Sequence, residues 1–283
     1  MRRHYGAAAL TVIALAATAA CGGGGGGGVK AASGSGGGDD GAASPAQVIQ
    51  AAAKQSGELT SLSYVMKGSA AGGQAFEAKA EMSMDPVAMR MTMGAPAGGA
   101  GAGTGGGAGA AGMEFRLIGQ QFFMKTPAPA KNGKSWLKVD TGKMPGVADG
   151  VQQNPVSTLA GLADAKDLKE AGTEKVDGVD TTHYTGTVTL EQLRAALKEN
   201  GNRGAGLKAQ QNAIDQYAKT GVESVDMEVW IDAKDRLKQL RTRAEGSTGP
   251  TDMKITVTGY DKPVRVEAPP ASEVGDLAEA FRR

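Results

Sequence analysis

The chain of 283 residues has little of what specialised sites are built from. It has one cysteine, Cys21, so it can assemble neither a disulfide framework nor a thiolate metal centre. Its two histidines are His4 and His183, so a Ser-His-Asp triad or a histidine metal site would have to be built on His183 alone. Aromatic residues make up 4% of the chain, too few for platforms that stack single-stranded nucleic acid. There is no excess of one charge: 31 basic and 30 acidic residues are interspersed and leave +1. That balance gives no basic footprint for a nucleic-acid partner. No apolar run reaches the roughly 20 residues that a membrane-spanning helix needs.

Glycine, by contrast, is abundant, with 44 residues, and it is unevenly placed: 12 lie in 22–41 and 10 in 94–112. Such tracts cannot hold a core, because glycine buries no side chain and loses the most backbone entropy on ordering. There is no Gly-X-Y period, which excludes a collagen helix. The remainder, about Ser44 to Pro270, is long enough for one compact domain.

The N-terminus reads as an export signal. Arg2 and Arg3 precede an apolar stretch from Ala7 to Ala17, and small residues Thr18-Ala19-Ala20 precede Cys21. A lone cysteine at that point reads as a bacterial lipobox. Residues 1–20 are then a lipoprotein signal peptide and Cys21 is the lipid attachment site, with two or more acyl chains giving a stable anchor. Residues 21–43 form a Gly/Ser-rich flexible tether, with an end-to-end distance of about 25 Å as a coil. No Gly-Lys-Ser/Thr follows, so a phosphate loop is not supported.

From Ser44 to Pro270 the pattern is mostly period two. Ser44-Pro45-Ala46-Gln47 opens a helix with a capping box. Apolar residues then alternate with polar ones in 62–67, 76–85, 89–93, 113–117, 225–232 and 253–258. Further strands are expected at 121–125, 136–139, 167–174, 181–188, 235–244 and 264–266. Asn154-Pro155 starts a short helix with Leu159 and Leu162 facing inward. Thr189 and Gln192 cap another helix, and 207–219 is a third. Residues 271–283 are a tail with a loose amphipathic pattern through Val274, Leu277 and Phe281. Strands with one apolar and one polar face imply an antiparallel sheet wet on one side. The short, Ala-rich helices are thin for filling a concave sheet, so a cavity under it is expected.

Several segments together resemble a known family. Asn154-Pro155-Val156 with Leu159 and Leu162 resembles its short inner helix. The run from Val176 to Gly186, through Asp177-Gly178 and His183-Tyr184, resembles its strand pair. Val229-Trp230-Ile231-Asp232 followed by Leu237 and the basic strand to Arg243 resembles its hairpin, and Ile255 to Val266 with Pro269 its closing strands. The order of these pieces, with the lipobox, is similar to the LppX/LprG-type lipoproteins of actinobacteria, which share the open half-barrel of the lipoprotein carrier LolA. The resemblance implies an α+β fold: a strongly curved antiparallel sheet of about 11 strands, an open half-barrel, wrapped over a few short helices across 44–270. The glycine-rich 94–112 is then a disordered loop insertion between two strands. It also implies a non-enzymatic, acyl-anchored protein on the extracytoplasmic face of the cell membrane, with an apolar cavity for lipid or glycolipid acyl chains. No cofactor and no metal is called for. The partners are the membrane, the lipid ligand and an envelope or transporter protein, with no nucleic acid.

Phe76, Met82, Met84, Met89, Met91, Met93, Phe115 and Leu117 fall on the apolar phase and are the expected cavity wall, since methionine is flexible and polarisable and suits varied apolar partners. The same methionines also allow plain core packing or a thioether site for Cu(I). A Met-rich Cu(I)-binding envelope protein and a structural envelope lipoprotein with a protein partner are therefore the alternative functions. His183 reads as a surface or edge residue facing away from Tyr184. Trp230 is on the polar phase and is expected at the cavity rim or over a helix. Asp226, Glu228, Asp232 and Asp235 read as a solvated face. Lys234, Arg236, Lys238, Arg241 and Arg243 make a basic hairpin, either solvated or resting on anionic headgroups.

Overall fold

The computed structural model describes residues 43–69, 73, 75–94, 112–126, 133–141, 159–199 and 205–277. The expected signal peptide, Cys21, nearly all of the tether, the body of the glycine insertion, Asn154 to Val156 and the end of the tail lie outside the described residues.

Helix α1 (Pro45–Gly57) begins as its sequence dictates. The Ser44 hydroxyl accepts from the Gln47 N–H, and Gln47 Oε1 accepts from the Ser44 N–H at 2.8 Å. That satisfies two otherwise orphaned donors and is worth about 1 kcal/mol. The strands follow: β1 (Ser61–Ser69), β2 (Ala75–Met84), β3 (Val87–Gly94), β4 (Glu114–Ile118), β5 (Gln121–Lys125) and β6 (Trp136–Asp140). Next come α2 (Leu159–Ala163), β7 (Lys169–Val176), β8 (Val179–Thr189), α3 (Leu190–Glu199), α4 (Ala205–Lys219), β9 (Ser224–Asp232), β10 (Leu237–Gly246) and β11 (Gly249–Tyr260). A single 3-10 turn leads into the short β12 (Val274–Asp276). The second capping box also forms, Thr189 and Gln192 exchanging their N–H donors at 2.8 and 3.2 Å at the start of α3.

The strands of the described residues form one open sheet of 12, ordered β12-β6-β5-β4-β3-β2-β1-β11-β10-β9-β8-β7. This is the open sheet over short helices that the sequence implies, and the pairings are antiparallel except β12 with β6, which is parallel. The expected strand at 264–266 does not form. Both edges of β11 are already paired, with β1 and β10, so the chain leaving β11 meets no free edge until it reaches β6. It crosses as an irregular strap instead. Ser61 Oγ donates to Lys262 O, Arg116 Nη1 to Glu267 O, and Lys134 Nζ to Ser272 O. Arg116 points from the polar face of β4, so the strap lies over that face. Phe123 and Trp136 share that face and are each 3% exposed. The start of the tail, Val274–Asp276, is the β12 strand rather than helix.

The core lies on the opposite, inner face. Leu159 and Leu162 of α2 are fully buried with Ile49 and Ala52 of α1. Two glycines permit close approaches. A Cβ at Gly186 would come within 2.9 Å of Leu162 Cδ1, so glycine lets the segment around α2 settle on β8. A Cβ at Gly68 would sit 2.2 Å from Asp252 O, where β1 and β11 run together. Among the described residues no helix is long and apolar enough to cross a membrane.

Candidate functional site

Strand register puts the predicted wall together. Met82 of β2 faces Met89 of β3, which faces Leu117 of β4, while Met91 faces Phe115. Met93 is opposite Ala78, and Phe76 and Met84 share the side-chain phase of Ala78 and Met82. All eight predicted residues therefore point from one face, the face that carries the core.

Their environments differ along the strands. One row runs unbroken across six strands, Leu62-Met82-Met89-Leu117-Phe122-Val139, and every member is buried. It lies near the end of the sheet where α1 enters β1. Toward the other end, Met91, Met93, Phe115 and Phe76 are only half-buried. Met66, Met124 and Met253 join them there, each half-buried and each on the same face by register. These three were outside the predicted wall, although Met66 and Met253 stand in the alternating runs that pointed to their strands. Phe115 and Phe122 stack at 5.8 Å across β4 and β5. Between Met66 of β1 and Met91 and Met93 of β3, β2 presents Ala78 and Ala80, both buried.

This crescent is apolar and electrically quiet. Tyr64, on the same face, has its hydroxyl pushed up to about 12 by burial, so it stays neutral. Recesses formed by described residues include three that the predicted methionines do not line. A mostly apolar one of about 330 Å³ lies between α4 and the β10–β11 turn, with Tyr217, Val222 and Gly249 in its wall. A polar one of about 650 Å³ runs along the ends of β9, β10 and β11, lined by Glu223, Asp226, Arg243 and Asp252 among others. The third is a narrow space between α1 and Tyr260. No group of three or more histidine, cysteine or carboxylate side chains able to hold a metal occurs among the described residues.

The polar face differs from its sequence reading. Trp230 neither rims a cavity nor covers a helix. It lies on the outer face, 6% exposed, with the His183 ring stacked on it at 4.3 Å and 6° between planes. The two are register partners on β8 and β9, so each shields the other. Nor is the acidic run simply solvated. Asp232 is buried in the β9–β10 turn. Burial opposes its charge, but hydrogen bonds from the Arg236 guanidinium and from the Arg236 and Lys234 N–H groups hold its carboxyl below the usual range. The basic hairpin is largely neutralised by partners: Arg236 by Asp232, Arg241 by Asp252, Arg243 by Glu228. Lys238 is buried, donating to Val257 O and lying 3.4 Å from Asp177.

No family model matches the chain. A protein of Streptomyces griseus, described as an uncharacterized 31.2 kDa protein in the rplA-rplJ intergenic region, is 31% identical over 162 residues. That match takes in 53% of this chain and 51% of that protein, so the chain spans about half the length of the curated relative it matches. Among solved structures, LprF from Mycobacterium bovis aligns with 80% of this chain and 96% of its own, at 14% identity and a TM-score of 0.51. The lipoprotein LppX of Mycobacterium tuberculosis aligns with 79% of this chain and 98% of its own, at 17% identity and a TM-score of 0.49. The chain therefore has the open-sheet fold of LprF, the fold that its resemblance to the LppX/LprG-type lipoproteins implies.

Proposed function

We propose that this chain is an LppX/LprG-type lipoprotein, exported and held on the extracytoplasmic face of the membrane through acylated Cys21. Its sheet would take lipid or glycolipid acyl chains against the inner face, and it would carry out no chemistry. The observation that supports this is the half-buried crescent of Met66, Phe76, Met91, Met93, Phe115, Met124 and Met253 on the inner face beyond the buried row. Half-buried thioethers and rings on a core face offer apolar area that a chain could cover, and methionine adapts its shape to varied chains. Each methylene removed from water contributes about 0.8 kcal/mol, so an acyl chain of ordinary length would be held by roughly 10 kcal/mol before ordering costs.

The test is to purify the Cys21→Ser protein from cells, extract it with organic solvent and identify bound lipid by mass spectrometry. Co-purified lipid, and uptake of added lipid by the emptied protein, are the expected results. Protein that leaves cells empty and takes up no added lipid rejects the reading. Incorporation of labelled palmitate into the wild type but not into Cys21→Ser tests the anchor separately.

A further inference from the structure

Strand β7 is a free edge of the sheet, pairing only with β8 among the described residues. Its side chains are exposed except for Val176, so burial does little to hold it. What reaches it from the sheet is a cluster on the outer face, remote from the methionine crescent. Glu174 comes from β7, His183 from β8, Trp230 and Glu228 from β9, and Arg243 from β10.

The imidazole stacks on the indole, and the indole Nε1–H donates to Glu174. His183 Nδ1 lies 3.7 Å from Glu174 Oε1, and Nε2 lies 3.2 Å from Glu228 Oε2. Glu228 also accepts from Arg243, and Arg241 stands nearby, paired with Asp252. His183 Nε2 is buried yet makes no hydrogen bond of acceptable geometry. The ring therefore faces two carboxylates, one of which, Glu228, is paired with a guanidinium, that of Arg243. A neutral imidazole has one N–H and cannot serve both carboxylates. An imidazolium has two, supplies the missing positive charge and sits as a cation on the indole face.

We propose that protonation of His183 clamps the edge strand β7 to the sheet, through Glu174 on one side and Glu228 on the other. The clamp is closed while the ring is protonated and opens as it loses that proton. With the ring neutral, β7 is held by its ladder with β8, the Trp230–Glu174 bond, the Lys175–Asp180 pair and the Thr181 hydroxyl donating to Glu174 O.

The experiment is amide hydrogen exchange on the full chain, corrected for the intrinsic pH dependence, with the imidazole proton resonance of His183 followed in the same samples. The protection of amides in Gly172 to Lys175 is expected to rise roughly tenfold from about pH 8 to about pH 5, in step with the imidazole titration. The amides of β3 should not follow it. The response should be absent in His183→Gln and reduced in Glu174→Gln. An imidazole that titrates while β7 protection stays constant or falls overturns the proposal. So does an unchanged response in His183→Gln. The wild-type measurement decides alone if the variants fail to fold.

Discussion

The two ends of the inner sheet face are made of the same residue types and behave differently. Near α1, the row Leu62-Met82-Met89-Leu117-Phe122-Val139 is sealed. Two to four residues further along the same strands, Met66, Met91, Met93, Phe115 and Met124 remain half-buried. Hydropathy does not distinguish the two, since methionine, leucine and phenylalanine occur in both. What differs is the cover. Ile49 and Ala52 of α1 and Leu159 and Leu162 of α2, all fully buried, belong to the same core cluster as that row. Apolar character sets which face a residue takes, and the position of the helices sets whether that face is filled.

The largest expected effect lies in the sealed row. Leu117 is 1% exposed and packed on both sides, by Met89 and Phe122. Leu117→Ala removes buried methylenes and leaves a cavity, at a cost of about 2–5 kcal/mol. Urea unfolding of the variant should show that loss at an unchanged slope. A cost under about 1 kcal/mol would mean that this end is no better packed than the other.

The crescent should respond in the opposite proportion. Met91 and Met124 flank Phe115 on neighbouring strands and are each half-buried. Met91→Ala with Met124→Ala together should cost about 1–2 kcal/mol, less than Leu117→Ala alone, because less area leaves water on folding. Retention of added lipid should fall at least several-fold. A double variant as unstable as Leu117→Ala, with lipid retention intact, would make the two ends equivalent and leave the crescent as ordinary core.

How far the sequence could show this contrast follows from the period of each signal. Alternation at period two placed Met82, Met89, Leu117 and the others on one face correctly, because a strand offers its side chains only two directions. The capping pairs Ser44/Gln47 and Thr189/Gln192 were equally local and equally readable. Graded burial along a strand was not readable, since it depends on helices distant in sequence. The same limit explains Trp230. Its polar phase was evident, but its burial comes from His183, 47 positions earlier in the chain, through the register of β8 on β9. The strap was missed for a related reason: Val264 and Val266 alternate like a strand, and only the crowded sheet order leaves them no edge to join.

The smallest expected effect sharpens the contrast from the sealed end's turns. Asp261, just after β11, accepts from the Thr60 N–H at 2.8 Å and from the Thr60 hydroxyl at 2.9 Å, tying the end of β11 to the residue before β1. The backbone donation from Thr60, helped by its hydroxyl, holds the Asp261 carboxyl below its usual range. A carboxyl lowered in the folded state contributes stability above its unfolded value, near pH 4, and that contribution is lost as pH falls through the folded value. Asp261 has φ of 49°, a left-handed conformation that asparagine also tolerates, so Asp261→Asn changes the charge with little backbone penalty. The variant should lose under about 1 kcal/mol at neutral pH. Its stability should also fall less steeply than the wild type's as pH drops below about 4. Parallel acid limbs for the two proteins would show that the Thr60 tie does not depend on the carboxylate charge, and that the sealed end owes its closure to the apolar row alone.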